Sequence, residues 1–173
     1  MDRALHWAEL SGGAFDPTTG RLVDLWGFGT AGAAQPPSHT DVEAARADCG
    51  WDRLARDGAR IFQPGGLHLD LSGIAKGFGV DEISRALSHL GLADHLVEIG
   101  GELRGSGVKP DGHPWLVDIA APPGTSLPGG PIRVALHGLS LATSGDYHRF
   151  LDHEGRRYSH TLDPRTGRPA ANG

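Results

Sequence analysis

Apolar residues recur at helical spacing in the segment that begins at Ser72. Five positions, three to five residues apart, carry this pattern: Ile74, Phe78, Ile83, Leu87 and Leu90. Such spacing places apolar side chains on one face of a helix. Gly91 stands where this helix would end, because glycine readily adopts the left-handed conformation that closes a helix. The pattern predicts a helix from Ser72 to Gly91, the clearest one in the sequence.

A weaker helical pattern precedes it. Thr40 and Glu43 have the spacing of a capping box, in which two side chains bond free backbone N–H groups at a helix start. Apolar residues follow at roughly helical intervals, at Val42, Ala45 and Cys49. We therefore predict a helix that begins near Thr40, preceded by a loop over residues 31–39. Nearer the start, turn-forming residues at 11–20 lead into a short apolar element at 22–26.

Short apolar runs bounded by glycine and proline predict strands in the rest of the chain. These runs are residues 61–63, 67–71, 95–99, 102–104, 115–119, 132–136, 139–143 and 158–162. Residues 64–66, Pro-Gly-Gly, are predicted to join the first two strands as a hairpin, and the later strands read as an antiparallel meander. Helices and strands do not alternate strictly, so the predicted fold class is α+β, a largely antiparallel sheet with packed helices.

Composition narrows the possible functions. The 173 residues suit one folding unit. The net charge is -5 and no stripe of Lys or Arg occurs, so no nucleic-acid partner is expected. A single cysteine excludes an intrachain disulfide and a cysteine-based zinc cluster. No apolar run approaches the ~20 residues of a membrane helix, and the opening residues lack the pattern of a signal peptide.

The start of the clearest helix contains residues that a purely structural helix would avoid. Three glycines lie within it, at 73, 77 and 79, and each costs up to about 1 kcal/mol relative to alanine. Lys76 lies near its N-terminus, where the helix dipole disfavours a cation. A phosphorylated ligand at this end would account for both features, with Lys76 as counter-charge. The alternative is a glycine-rich helix packed tightly on a sheet, with Lys76 in water.

A second candidate site lies near the end of the chain. His160 and Asp163 are close in sequence before a Pro-Arg-Thr-Gly turn, and a neutral histidine could accept a proton from an attacking hydroxyl near neutral pH. Alternatively, Asp163 caps the turn and His160 is a structural residue. The sequence has no HExxH, G-x-S-x-G or GxxxxGK[ST] motif, so zinc proteases, α/β-hydrolases and P-loop enzymes lack support.

Five segments together resemble a known family. In chain order they are SGGAFDPTTG, LDLSGIAKGFGVD, VEIGGELRGSG, ATSGDYHRF and YSHTLDPRTGRP. In this order and spacing they resemble the ApbE family of FAD:protein FMN transferases, also named thiamine biosynthesis lipoproteins in older usage. The resemblance runs along almost the whole chain and identifies residues 1–173 as the central part of such a domain.

The resemblance implies a function and its partners. It implies Mg²⁺-dependent transfer of FMN from FAD to a Thr or Ser hydroxyl of a partner protein, with release of AMP. The implied acceptors are flavin-carrying subunits of electron-transfer complexes, and the implied location is the cell envelope, anchored to the inner membrane in the full-length protein. Two alternatives stay open: a non-catalytic FAD-binding module or remnant, and a Mg²⁺-dependent FAD pyrophosphatase.

The resemblance also assigns roles to single residues. Those that match FAD contacts of the family are Ala14, Phe15, Asp16, Asp70, Lys76 and Thr161. Gly73 matches the position whose backbone carbonyl binds the metal, and His160 matches the histidine that assists transfer.

Two departures from the family pattern shape the expectation for this chain. Family members carry an additional N-terminal segment before SGGAFDPT, and a later Asp and Thr that complete the metal site. Gly73 alone cannot hold Mg²⁺, which prefers octahedral oxygen ligation. We therefore expect little activity from residues 1–173 by themselves.

Overall fold

A computed structural model of the chain describes residues 1–30, 32–145 and 147–170. The helices are α1 Asp2–Leu10, α2 Gly20–Leu25, α3 His39–Ala47 and α4 Ser72–His89, with a short 3-10 helix at Trp51–Arg53. The first strands are β1 Ala55–Asp57, β2 Arg60–Phe62, β3 His95–Ile99, β4 Glu102–Ser106, β5 Trp115–Ile119 and β6 Ile132–Leu136. The last strands are β7 Leu139–Leu141, β8 Phe150–His153, β9 Arg156–Ser159, β10 Leu162–Asp163 and β11 Arg168–Pro169.

These elements form two compact units. Unit 1 comprises Met1–Leu71 and His148–Gly173, and unit 2 comprises Ser72–Tyr147. Both contain helices and small antiparallel sheets, which confirms the predicted α+β class. Whether the two units together are one family domain stays a prediction. None of the helices in the described part of the chain has the length and apolarity needed to cross a lipid bilayer.

Unit 1 is built around apolar side chains from α2 and α3. The buried members of this core are Leu22, Trp26, Phe28, Val42 and Ala45. The Trp26 indole N–H donates to the Gly167 carbonyl at 2.9 Å, which ties the end of the chain to the core. Gly167 has a φ of 66°, and a Cβ there would lie 3.0 Å from a Val42 methyl group. This position therefore requires glycine for both its backbone conformation and its packing.

Unit 2 consists of α4 packed on a three-stranded sheet of order β3-β4-β7, together with the β5–β6 hairpin. Alternate residues of β3 are buried, beginning with His95 and Val97. Val80 of α4 is also buried in this unit. The buried Ser84 hydroxyl lies 2.7 Å from Nε2 of His95, whose Nδ1 lies 2.8 Å from the Leu92 carbonyl, so both ring nitrogens have partners.

Two predictions of local structure are wrong. The hairpin does not form at residues 64–66, because β2 pairs with β1 across Gly58. Residues 67–71 instead make a single parallel bridge, between His68 and Thr19. The cap of α3 is also displaced by two residues: the Ser38 hydroxyl, not that of Thr40, accepts from the Asp41 N–H at 3.2 Å. Ser38 and Asp41 have the same spacing as Thr40 and Glu43, so the sequence signal was ambiguous.

The predicted meander is wrong in its connections, although its strands exist. Strands β5 and β6 pair only with each other in a hairpin, and β7 returns to pair with β4. Helix α1 and strands β1, β8 and β11 were missed, and the predicted strand at 158–162 is divided between the ends of β9 and β10. The predicted loop before α3 is present over residues 32–38. Three parts of the predicted segments lie outside the described residues: Ala31, Asp146 of the ATSGDYHRF segment and the residues after Ala170.

Candidate functional site

The SGGAFDPTTG segment is a turn fixed to the end of α1. The Gly13 N–H donates to the Ala8 carbonyl at 2.8 Å, and the Phe15 N–H donates to the Ser11 hydroxyl at 3.0 Å. Gly12 and Gly13 have φ values of 59° and 78°. Ala14 is exposed and Phe15 is half-buried. Ala14 is therefore accessible from solvent.

Asp16, the third residue of this predicted contact, points into the protein. Its residue is only 8% exposed. One carboxylate oxygen accepts from the Thr18 N–H at 2.8 Å and from the Thr18 hydroxyl at 2.6 Å. The other accepts from the Trp51 N–H at 3.3 Å. The Thr18 hydroxyl in turn accepts from the Gly50 N–H at 2.8 Å, so Asp16 fastens the turn to the 3-10 helix.

The turn is also hydrogen-bonded to the segment that contains Asp70. The Asp70 N–H donates to the Pro17 carbonyl at 2.8 Å, and the Gly20 N–H donates to the His68 carbonyl at 3.0 Å. Unit 1 thus brings together two motifs that are about fifty residues apart in sequence. Asp70 is half-buried and lies at the end of this unit.

An open pocket of about 420 Å³ lies beside the Asp16 turn. Its lining includes Gly13, Asp16, Cys49, Trp51 and Arg165. Burial raises the pKa of the Cys49 thiol to about 11, and the nearby Asp16 charge adds to this effect. Because the thiolate is the nucleophilic form of cysteine, Cys49 is not an activated nucleophile near neutral pH.

His160 and Asp163 do not form the pair that their spacing suggested. Asp163 accepts from the Arg165 N–H at 3.0 Å and forms an ion pair with the Arg165 guanidinium at 2.9 Å. The hydrogen bond from Arg165 lowers the pKa of this carboxyl. The Asp163 carbonyl also accepts from the Gly167 N–H at 2.8 Å, so Asp163 caps its turn, as the structural alternative proposed.

The His160 ring packs edge-on against Phe28, with the ring centroids 6.3 Å apart. Its Nδ1 is buried and has no hydrogen-bond partner among the described residues. Neighbouring Thr161 is exposed, and its N–H donates to the Ser159 hydroxyl at 3.1 Å. No described group therefore orients the His160 ring for acid–base chemistry.

In unit 2, Gly73 and Lys76 lie in the first five residues of α4. The Lys76 ammonium donates to the Gly100 carbonyl at 3.0 Å and lies 2.6 Å from a carboxylate oxygen of Glu102. Lys76 is thus neither unpaired nor surrounded by water alone. The close-packing alternative holds at Gly79, where a Cβ would lie 3.2 Å from Ile99, but not at Gly77, where a Cβ would meet nothing within 4 Å. The ligand alternative stays a prediction.

Each unit therefore holds part of the predicted site. Unit 1 contains Ala14, Phe15, Asp16, Asp70, His160 and Thr161, and unit 2 contains Gly73 and Lys76. Across the described ranges, no group of three or more His, Cys, Asp or Glu side chains could hold a metal ion. The sequence did not single out Trp51 or Glu102. Glu102 lies in the VEIGGELRGSG segment, where two glycines directly before an acid could have pointed to a turn that presents a carboxylate.

Comparison with known proteins decides the family. The sequence profile of the ApbE family matches residues 1–173. This chain is a member of the ApbE family. The resemblance inferred from the five segments is thereby confirmed.

Curated and solved relatives agree with this assignment. FAD:protein FMN transferase of Vibrio cholerae is 40% identical to this ApbE-family chain, over 99% of the chain and 52% of the relative. The protein of the same name from Haemophilus influenzae is 34% identical, over 98% and 51%. The crystal structure of apo flavinyl transferase ApbE from Pseudomonas stutzeri is 43% identical with a TM-score of 0.85, covering 98% of this chain and 52% of that one. The chain thus spans about half the length of the relatives it matches.

Proposed function

We propose that this ApbE-family chain takes part in the transfer of FMN from FAD to a Thr or Ser hydroxyl of a partner protein. The observation that carries the proposal is that its curated relatives are FAD:protein FMN transferases, 34–40% identical across nearly the whole chain. Flavin-carrying subunits of electron-transfer complexes are the proposed acceptors. The proposed cell-envelope location rests on the family resemblance alone.

The proposed FAD contacts divide between backbone and side chains. Ala14 is an exposed residue and Phe15 a half-buried one, whereas the Asp16 carboxylate is occupied by Thr18 and Trp51. The N–H groups of Ala14 and Phe15 already donate to Ser11, so we assign the contact at this turn to backbone carbonyl groups, with Asp16 as the residue that holds the turn. Lys76 is the proposed contact to the pyrophosphate, because it is a half-exposed cation near a helix start, where anions bind favourably.

The proposed reaction is a phosphoryl transfer. The acceptor hydroxyl oxygen attacks the phosphorus of the FMN half of FAD, and the bond from that phosphorus to the bridging oxygen breaks. AMP leaves with the bridging oxygen, and the hydroxyl proton passes to a base, for which His160 is the candidate. Such reactions depend mainly on positioning and on neutralising negative charge, which is the role proposed for Lys76.

The surroundings of His160 set a condition on its role. A buried N–H without an acceptor is rarer in proteins than a buried acceptor without a donor. The described surroundings therefore favour the tautomer with the proton on Nε2 and none on the buried Nδ1. For Nε2 of the neutral His160 ring to accept the proton of the attacking hydroxyl, the ring's own proton must be on Nδ1 instead. His160 could thus act as a base only if an acceptor from outside the described residues reaches Nδ1.

Mg²⁺ belongs to this proposal, but the described residues do not by themselves fit it. Gly73 would offer one backbone carbonyl. Among the described residues, no three or more Asp, Glu, His or Cys side chains lie close enough together to hold a metal ion. We therefore derive no step through a metal. Titration of the chain with Mg²⁺ in the absence of FAD is expected to show weak binding. The same observation favours the second candidate, an FAD-binding module that does not catalyse transfer.

One assay separates the candidates. The chain is incubated with FAD, Mg²⁺ and a flavin-acceptor protein, and the products are resolved by denaturing gel fluorescence and chromatography. Covalently flavinylated acceptor with one equivalent of AMP supports transfer. Free FMN and AMP without flavinylated acceptor indicate a pyrophosphatase, and FAD bound but unchanged indicates a binding module. An acceptor whose target Thr or Ser is changed to Ala is the matched control.

A further inference from the structure

The turn between β3 and β4 forms a socket for the Lys76 ammonium. We define this Lys76 socket by the Gly100 carbonyl, which accepts from Lys76 at 3.0 Å, and the Glu102 carboxylate, which lies 2.6 Å from the same nitrogen. A lysine ammonium has three N–H donors. The Gly100 carbonyl takes one and Glu102 is the counter-ion, so at least one donor is left for a ligand.

The backbone of the turn is fitted to the lysine. Gly100 and Gly101 have φ values of 55° and 92°, as expected for the two-residue turns that join antiparallel strands. A Cβ at Gly100 would lie 3.2 Å from Lys76 Cδ and 3.8 Å from Nζ, so the lysine side chain lies across this glycine. The Glu98 carboxylate accepts from the Gly101 N–H at 2.9 Å and holds the turn in place.

The two charges of the pair are in different environments. The Glu102 side chain is 13% exposed, whereas that of Lys76 is 46% exposed. The Glu102 oxygen nearest Lys76 is buried and has no hydrogen-bond partner among the described residues, so Lys76 compensates it as an ion pair rather than through an aligned hydrogen bond. Leaving a buried carboxylate oxygen without its counter-ion costs more than an exposed ion pair contributes. The buried Glu102 oxygen therefore favours a Lys76 ammonium that stays at Glu102 when a ligand binds.

We propose that Glu102 is a positioning residue, which fixes the Lys76 ammonium so that its remaining donor meets the pyrophosphate of FAD. This inference rests on the proposed function, because it takes FAD as the ligand of Lys76. The rival arrangement is a latch, in which Glu102 competes with the phosphate for Lys76. The buried position of the Glu102 oxygen disfavours the latch, because ligand binding would then leave a buried carboxylate without its counter-ion.

Glu102→Gln distinguishes the two arrangements by the sign of its effect on FAD affinity. The substitution removes a negative charge near an anionic ligand, so charge alone, or release of a latch, predicts tighter binding. If Glu102 positions Lys76, the lysine regains rotamer freedom that FAD binding must then restrict, and affinity falls about three- to tenfold. Glu82→Gln is the matched control. Glu82 is an exposed acid on α4, the helix that carries Lys76, but it pairs with Arg85 instead of Lys76.

The socket can be tested without FAD by lysine-selective NMR. The chain has two lysines, Lys76 and Lys109, so a ¹⁵N-lysine sample gives two ammonium signals. Lys109 forms an ion pair with Asp111, at 3.4 Å, and serves as the internal reference. We expect the Lys76 ammonium protons to exchange with water more slowly than those of Lys109, and to lose this protection in Glu102→Gln. Equal exchange of both lysines in the unmodified chain would overturn the socket.

Thermal unfolding supplies a second readout. Lys76→Met leaves the Glu102 carboxylate buried without its counter-ion and is expected to lower Tm, and Glu102→Gln added to Lys76→Met is expected to recover much of that loss. Additive losses in the double variant would show that the pair is not coupled. These measurements apply whether or not FAD is the ligand.

The outcomes with FAD are separable. Weaker FAD binding by Glu102→Gln with unchanged binding by Glu82→Gln supports the positioning role. If Lys76→Met weakens FAD binding but Glu102→Gln leaves it equal or tighter, the role of Glu102 is overturned while the proposed function stands. If the unmodified chain does not bind FAD, the proposed function fails and, with it, the role of Glu102 towards FAD.

Discussion

Asp16 in unit 1 and Lys76 in unit 2 are both predicted, from the family resemblance, to contact FAD, yet the structure gives them opposite arrangements. The Asp16 carboxylate is buried and all its described hydrogen bonds are to Thr18 and Trp51. The Lys76 ammonium is half-exposed and keeps a donor beyond its bond to Gly100. A match to a contact position thus does not say whether the side chain or the backbone makes the contact.

A related contrast holds for Asp16, which is buried, and Glu102, whose side chain is 13% exposed. Asp16 accepts three hydrogen bonds from its own unit, so its negative charge is stabilised by donors of the backbone and a hydroxyl. Within the described part of the chain, Lys76 is the one cation that pairs with Glu102. Asp16 therefore fixes a backbone turn, whereas Glu102 fixes a side chain. Each acid positions a different part of the proposed FAD site.

The largest expected effect concerns the chemical role that we assign to unit 1. If His160 accepts the proton of the attacking hydroxyl, His160→Ala lowers the rate of FMN transfer by about 10²- to 10⁴-fold and leaves FAD affinity nearly unchanged. Single-turnover transfer and equilibrium FAD binding, measured on the same preparation, check both halves of the prediction. A transfer rate equal to that of the unmodified protein would assign His160 to structure alone.

The next effect tests the internal role of Asp16. Asp16→Ala leaves the Thr18 and Trp51 donors without their acceptor, and each buried donor costs about 1–3 kcal/mol, so we expect a loss of about 3 kcal/mol in the free energy of unfolding. Urea unfolding followed by tryptophan fluorescence measures it.

Asp16→Asn is the matched control for that substitution. It retains one acceptor for Thr18 but turns a donor toward the Trp51 N–H, so the expected loss is smaller. FAD affinity of the folded Asn variant should stay close to that of the unmodified chain. A folded Asp16→Asn variant that no longer binds FAD would show that the carboxylate itself contacts the ligand, as Lys76 is proposed to do.

Cys49 reports on the same buried region by its reactivity. With a pKa of about 11, its thiol forms far fewer thiolates at pH 8 than an ordinary cysteine. The thiolate of a high-pKa thiol is more nucleophilic, which offsets part of the loss in thiolate fraction. We therefore expect iodoacetamide to alkylate Cys49 about tenfold more slowly in the folded chain than in the urea-unfolded chain. Asp16→Asn should accelerate it, because the Asp16 charge helps to raise the pKa. Equal rates in the folded and unfolded chains would contradict this placement of Cys49.

The raised pKa of Cys49 also makes the stability of the folded chain depend on pH. The folded chain holds the Cys49 proton more tightly than the ordinary value of 9.0, so this contribution is present below about pH 9 and is lost as the pH rises toward 11.

The sequence predicted the parts of the fold that depend on local patterns. Helix α4 begins at Ser72, as its apolar spacing indicated, and β3 spans the predicted residues 95–99. Strand β1 could not be predicted because Ala-Arg-Asp is exposed along its whole length and has no apolar alternation. The return of β7 to β4 was also missed, because the partner of a strand is set by tertiary packing rather than by its own residues.

The sequence proposed residues for the candidate site but not the contacts between them, and the FAD and metal contacts of those residues stay predictions. The five segments carried the matches to Asp16 and Lys76, since those rest on short motifs. Nothing in the sequence shows that Trp51 donates to Asp16 or that Glu102 lies beside Lys76, because these pairs are 35 and 26 residues apart. Such long-range pairs become visible only when the strands and turns are in place.

Calorimetric titration of FAD into the unmodified chain, Lys76→Met and Lys109→Met tests the proposed contact of Lys76 most directly. We expect about tenfold weaker binding for Lys76→Met, because one charge-assisted hydrogen bond to a phosphate is lost. We expect unchanged affinity for Lys109→Met, which removes the only other lysine. Equal affinity in all three chains, or equal weakening in both variants, would contradict a specific contact between Lys76 and the FAD pyrophosphate.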